Sequence, residues 1–200
     1  MWEERYRGSQ DYLFGKAPAQ FLVENPGWIK PGQSVLSVAD GEGRNSTWLA
    51  AQGADVQSFD MSETAVARAQ KLAEEQGVSV ASHLCDWQDW DWKGAQFDLV
   101  VAIFIQFAGP SERGAQFADL KQAVRPGGVL MLHGYRPEQV ALGTGGPPFV
   151  ENMYTAEILG KYFGNWKVER LAAYERDVQE GRGHSGKSAL IDLIVRRPKA

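Results

Sequence analysis

Two glycines separated by a single residue, Gly41 and Gly43, and an acid about 17 residues further on, Asp60, have a spacing that could do chemistry. The glycines follow an apolar run (Val35, Leu36, Val38) and precede a segment with helical character, so small residues stand where a strand hands over to a helix. Such a junction lets a ligand approach the backbone, while the helix start offers unpaired N–H groups and the positive end of its dipole. Asp60 ends the next apolar run, where a carboxylate can accept both hydroxyls of a ribose. The same logic serves a nicotinamide dinucleotide and S-adenosylmethionine.

The pattern departs from the dinucleotide cradle in one respect. After Gly43 come Arg44, Asn45 and Ser46, with no third glycine to let a pyrophosphate pack on the helix. Ala39 stands where such loops carry their first glycine, and a methyl group there predicts a shifted ligand rather than a lost site. An oxidoreductase binding a nicotinamide dinucleotide and a non-catalytic adenosine-ligand sensor remain the alternatives to a methyl-transferring enzyme. Three scattered histidines and one cysteine offer no metal-ligand spacing, so no metal is expected. Cys85, without a second cysteine or an activating histidine near it in sequence, reads as a small apolar residue rather than a nucleophile.

The elements that must position these residues alternate. A helix with Pro18 in its first turn and Phe21, Leu22 and Val23 on it ends before Pro26-Gly27. A strand is predicted over 34–38, a helix over 44–52 stopped by Gly53, a strand over 55–59, and a helix over 62–76 stopped by Gly77. Two such units in succession imply a parallel sheet. A third strand over 78–84 leads into the aromatic and acidic loop CDWQDWDW, and a fourth, 97–103, hardly alternates and should be buried on both faces. Ser111 is expected to cap a helix to about residue 124, and RPGG to turn into a fifth strand over 129–133. The run 136–154, with GTGGPP, reads as a long loop, after which Thr155 caps a short helix. WKVERLAAYERDV and SALIDLIVRR are strand-like runs joined by QEGRGHSG with no helix between, so they should pair antiparallel.

Composition narrows the partners. The 200 residues are 44% hydrophobic, enough for a core without disulfides, and are expected to form one domain with 1–30 as an N-terminal cap segment. The net charge of −4 lacks the basic footprint of a nucleic-acid binder, and the acids of DWQDWDW would repel phosphate. The longest apolar stretch, FDLVVAIFIQFAG, carries Asp98 and Gln106 and is too short to span a bilayer, so no membrane partner is expected. A lone cysteine and the absence of a signal-peptide core in the first twenty or so residues point to the cytoplasm.

From about residue 30 onward the chain resembles class I S-adenosylmethionine-dependent methyltransferases. Within them it is similar to the tellurite-resistance and thiol-methyltransferase-like bacterial proteins. The broad likeness rests on the quoted cradle, the RPGG turn and the terminal antiparallel pair; the narrower one rests on GRNSTWLAAQGADV, with YLFGKAPAQFL, VAIFIQFAGP, RPGGVLMLHGY and EGRGHSGKSALIDLIVRRP. The resemblance implies an α/β, Rossmann-like three-layer sandwich whose mostly parallel seven-stranded sheet ends in the hairpin. It assigns Ala39, Asp40, Gly41, Gly43, Arg44 and Asn45 to the cofactor loop, Asp60 and Met61 to the ribose, and Asp86 and Trp87 to the adenine. Ala102, Ile103 and Phe104 would line the methionine side, with Arg44 placed to pair with the methionine carboxylate. Ser37 replaces the acid that many members carry.

Methyl transfer from a sulfonium is an in-line displacement, so positioning matters more than an acid–base dyad. A soft anionic acceptor loses charge in the transition state, which favours an apolar chamber. Tyr12, Phe14, Phe104, Phe107 and Tyr135 are the aromatic candidates for it. His133, Arg136 and His184 are the polar candidates to orient an acceptor or take its proton. The expected catalytic residues are His184 and Tyr135, and the expected partner is a small-molecule methyl acceptor.

Overall fold

The computed structural model describes residues 1–199. Its strands are β1 (Ser34–Val38), β2 (Asp55–Asp60), β3 (Ala81–Leu84), β4 (Phe97–Ile103), β5 (Val124–Tyr135), β6 (Lys167–Glu180) and β7 (His184–Arg196). They form one seven-stranded sheet in the order β3-β2-β1-β4-β5-β7-β6. The chain divides into two compact units, Met1–Asp91 with Glu180–Gly183, and Trp92–Gln179 with the stretch from His184 onward.

In the first unit, β1, β2 and β3 pair in parallel, Val35 opposite Val56 and Phe59 opposite His83. Its helices are α1 (Trp2–Arg7), α2 (Gln20–Glu24), α3 (Arg44–Ala51) and α4 (Glu63–Glu75). Ser62 caps α4, its hydroxyl accepting from the Ala65 N–H at 3.1 Å, and Ala65, Val66, Ala69, Leu72 and Ala73 form the buried stripe at helical spacing. Pro18 lies outside α2, because Ala19 is already the non-helical capping residue. β3 starts at Ala81 rather than Val78.

The second unit joins β4 to β5 in parallel and β5 to β7 antiparallel, with Leu99 opposite Val129 and His133 opposite Asp192. Leu99 to Ile103 of β4 are all buried, as their unbroken apolar run requires. Its helices are α5 (Arg113–Ala123), α6 (Gln139–Leu142) and α7 (Ala156–Phe163), the last capped by Thr155, which accepts from the Ile158 N–H. Four expectations change here. α5 begins after Glu112, with no side-chain cap from Ser111. RPGG belongs to β5 as an irregularity in its pairing with β4 and does not precede the strand. The run 136–154 contains α6 and a 3-10 turn, Val150–Asn152, because Gln139 supplies the bonds that the backbone lacks: its amide donates to Thr144 and Gly145 and accepts from the Ala189 N–H. The terminal strands continue through most of QEGRGHSG, so His184 is the buried first residue of β7 and not part of a loop.

Candidate functional site

In the first unit the junction after β1 is held by side chains in place of a glycine-rich backbone. Ala39 takes φ +46°, a left-handed conformation that costs a residue with a Cβ about 1–2 kcal/mol. Asp40 buckles the turn. It accepts from the Ser37 hydroxyl at 2.7 Å, and from the Ser46 hydroxyl at 2.5 Å and N–H at 3.3 Å. Burial raises its pKa against those hydrogen bonds. Ser37, which interrupts the apolar pattern of β1, is thereby explained: it satisfies a half-buried carboxylate. Gly43 has φ +85° and starts α3; a Cβ there would lie 2.6 Å from the Ala69 backbone, so the glycine lets α4 pack close.

Asp60 ends β2 beside this loop. Its carboxylate accepts from the Gly41 and Ser62 N–H groups, each at 2.9 Å, which leaves further lone pairs for hydroxyl donors. Burial lifts its pKa to about 6 against those two bonds, and the nearby Asp40 charge adds to the rise. Arg44 and Asn45 are engaged within the unit. Arg44 pairs with Glu180 at 2.7 Å, both side chains being nearly buried, and Asn45 accepts from the Ala19 N–H at 2.9 Å. In this structure, therefore, the partner of Arg44 is a protein carboxylate. Met61 is exposed; Asp86 accepts from the Gln88 N–H at 3.3 Å, and Trp87 sets its edge on Phe59 at 5.9 Å.

The N-terminal segment closes onto the same loop. Glu42, between the two glycines, accepts from the Leu13 N–H and from Arg68, both at 2.6 Å. Glu3 accepts from Ser62 and Thr64 at the start of α4. A Cβ on Gly41 would stand only 2.7 Å from the Tyr6 hydroxyl, so the glycine makes room for this ring. Burial, then the Asp60, Glu42 and Asp40 charges, push Tyr6 ionisation far up, so it stays a neutral hydroxyl. Tyr12 donates to the Arg68 carbonyl, while Phe14 packs on Trp2 and Tyr6 and lies tightly under Gly183. Tyr6, Glu42 and Arg68 were missed by sequence reasoning because their partners are separated along the chain.

The second unit gathers a different set. Ala102 and Ile103 are buried at the end of β4, and Phe104 follows with φ +57°, a genuine outlier for a bulky residue. Its ring centroid lies 4.3 Å from His184, 4.6 Å from Tyr135 and 4.9 Å from His133. Tyr135 Oη and His184 Nδ1 are 2.5 Å apart, with the two rings stacked. Gln106 fixes Tyr135 by its backbone, donating to its carbonyl at 2.8 Å and accepting from its N–H at 2.6 Å. Met153, Val178 and Leu190 complete the buried apolar wall against Tyr135. Phe104, His133, Tyr135 and His184 are thus brought together. Phe107 is exposed, and Arg136 pairs with Glu138 at 2.6 Å. Among the described residues no cluster suited to a metal ion occurs, and no helix is long and apolar enough to cross a membrane.

The fold is that of class I S-adenosylmethionine-dependent methyltransferases, and residues 35–128 match a family described as a methyltransferase domain. Among curated relatives, tuberculostearic acid methyltransferase UfaA1 of Mycobacterium tuberculosis is 35% identical over 107 residues, which cover 52% of this chain and 24% of the relative. The chain spans less than half the length of the curated relatives it matches. Two solved structures are similar over 98% of the chain. One is named for the conversion of a disulfide bond into a thioacetal group during echinomycin biosynthesis, with TM-score 0.79, 21% identity and 90% of that chain covered. The other is TehB from Haemophilus influenzae, with TM-score 0.71, 17% identity and 67% covered. At these identities the likeness is one of fold.

Proposed function

We propose that the protein is a methyltransferase that uses S-adenosylmethionine to methylate a small-molecule acceptor, a thiol or another chalcogen compound such as tellurite. The observation that carries this reading is the junction at Gly41 and Asp60, which lies inside the stretch matching a methyltransferase domain. Its residues fit the cofactor. Asp60 retains acceptor capacity for a ribose diol beyond the two N–H groups it holds, and the start of α3 offers backbone donors. The adenine side would fall to Asp86 and Trp87, the methionine side to Ala102, Ile103 and Phe104. When bound, S-adenosylmethionine supplies a methyl group on a sulfonium, open to in-line attack.

The chain's own contribution is to hold the acceptor and exclude water. Phe104, Tyr135 and the apolar wall around them would surround a soft nucleophile, while the hydrogen-bonded pair Tyr135 and His184 would orient it. The buried aromatic and apolar lining supports a soft chalcogen acceptor, and the sulfur chemistry in the name of one neighbour alike in fold makes a thiol the first acceptor to test.

Calorimetry with S-adenosylmethionine, S-adenosylhomocysteine and NADH tests the cofactor. Binding of the first two is expected; binding of NADH alone overturns the reading in favour of a dinucleotide enzyme. Asp60→Ala should weaken S-adenosylhomocysteine by about 1–3 kcal/mol, since hydrogen bonds to a charged acceptor are lost. The sign of the pH dependence follows from the raised pKa. Below about 6 the folded carboxyl takes up a proton and ceases to be a full acceptor, so affinity should fall as pH drops through that value. For folding the sign is opposite. Because the pKa is raised from 3.8, the folded state binds this proton more tightly, and the contribution of Asp60 to stability is lost as pH rises from 3.8 through about 6. An affinity flat between pH 5 and 7 would remove Asp60 from the site.

A further inference from the structure

His133 and Asp192 are cross-strand partners on β5 and β7, both buried, with His133 Nδ1 2.8 Å from Asp192 Oδ1. Two further donors reach the same carboxylate from β6: Arg170 Nε at 2.9 Å on Oδ2, and the Tyr174 hydroxyl at 3.0 Å on Oδ1. Burial pushes the Asp192 pKa up, but the bonds from His133, Arg170 and Tyr174 outweigh it, and the carboxyl ends below its ordinary value. An ionised carboxylate has no proton to give, so the hydrogen in the short contact must sit on His133 Nδ1. Arg170 matters for a second reason. Its guanidinium already balances the buried negative charge, so His133 is not required as a cation to neutralise Asp192. A neutral ring with hydrogen on Nδ1 has its basic lone pair on Nε2. The Phe104 ring, strained into the left-handed region, lies edge to face against this imidazole, in the same cluster as Tyr135 and His184.

We infer that Asp192 is a positioning residue that holds His133 in the Nδ1–H form, so that His133 Nε2 takes the proton from a neutral thiol as that thiol is methylated. The inference rests on the methyltransferase reading and deepens it. In the step, the S–H bond of the acceptor breaks and its proton goes to His133 Nε2. The sulfur lone pair forms the new S–CH3 bond, and the electrons of the broken sulfonium C–S bond remain on the sulfur of S-adenosylhomocysteine. The imidazolium then returns its proton to solvent. Charge is conserved, since the positive charge of the sulfonium ends on His133.

Asp192→Asn tests this, because an amide is not a neutral copy of the acid here. Arg170 only donates, so it draws the amide oxygen to itself and leaves the NH2 group facing His133 Nδ1. The ring must then accept there and carry its hydrogen on Nε2, the wrong form for a base. With S-adenosylmethionine and 2-mercaptoethanol, kcat should fall by about 100-fold with the acceptor KM changed by less than about threefold. With a nitrothiophenol, already ionised at neutral pH, the loss should shrink to less than about threefold, because no proton has to be removed. Equal losses on both thiols would overturn the inference and leave the methyltransferase reading standing.

A second measurement needs neither turnover nor a folded variant of Asp192. Nitrogen NMR of the wild-type imidazoles at pH 7, assigned with a His133→Gln sample, should show His133 neutral with hydrogen on Nδ1. An imidazolium, or hydrogen on Nε2, overturns the inference whatever the kinetics. Failure of the wild type to bind S-adenosylmethionine in calorimetry overturns the function and the inference together.

Discussion

The cradle at the end of β1 and the aromatic cluster around Phe104 solve the same problem, burying polar groups without leaving them unpaired, by opposite means. In the cradle most bonds run between a short side chain and a backbone N–H group. Asp40 holds Ser46, Asp60 holds Gly41 and Ser62, and Asn45 holds Ala19. Around Phe104 they run between side chains far apart in the chain, Tyr135 with His184 and His133 with Asp192, brought together by strand pairing. Backbone groups have fixed positions, so a cradle built on them would suit the invariant sugar and base of the proposed cofactor. A side-chain cluster can change its chemistry by one substitution without altering the sheet, which would suit the acceptor end of the proposed reaction.

The cradle also holds ion pairs between side chains far apart in the chain, and the largest expected effect comes from breaking one of them. Arg44 opens α3, and its partner Glu180 lies at the hairpin tip that belongs to the first unit, where it also accepts from the Gln20 N–H at 3.0 Å. Glu180→Gln leaves a nearly buried guanidinium without a counter-charge and should cost about 3 kcal/mol of stability. The Tm would then fall by about 10 °C for a chain of this size. Arg44→Met together with Glu180→Met should recover most of that loss, because the penalty comes from the uncompensated charge and the pair itself stabilises little. A double variant as unstable as the single one would mean that the pair organises the tip beyond its charge.

A smaller loss is expected at the side-chain cluster. Tyr135→Phe keeps the ring and its packing on Phe104 and Leu190 but deletes the hydroxyl 2.5 Å from His184 Nδ1. Leaving a buried ring nitrogen without that partner should destabilise by about 1–2 kcal/mol in a denaturant titration. The slope of the transition should stay the same, since the surface exposed on unfolding does not change. No loss would show that His184 already has an equal alternative partner.

The contrast also explains what could be read from the sequence. The alternation of strands and helices, the cap Thr155 and the loop at Gly41 and Gly43 depend on neighbours within a few residues, so pattern alone carried them. Asp192 did leave a trace: a single acid inside the apolar run ALIDLIV requires a buried partner. Its identity, His133, depends on the register of β5 with β7, which no local pattern specifies. Tyr6 and Arg68 left no such trace. An aromatic in a charged amphipathic stretch and an arginine on a helix are ordinary residues until the N-terminal segment folds across them. The 136–154 segment misled for a related reason. Its glycines and prolines argue for irregular backbone, whereas Gln139 and Gln106, which fasten it, look like surface residues.

Ala39→Gly acts on the backbone of the cradle itself and should have the smallest effect. Ala39 sits at φ +46°, so removing its Cβ relieves a left-handed penalty of about 1–2 kcal/mol. Against this, glycine adds about 0.4–1 kcal/mol of backbone entropy to the unfolded chain. The difference favours the variant by about 0.5 kcal/mol, or about 1–2 °C in Tm. The gain should leave the Asp40 buckle intact, since Ser37 and Ser46 reach Asp40 through their own side chains. A glycine that destabilises would mean that the methyl group packs usefully in the cradle, and that the alanine is there for contact and not merely tolerated.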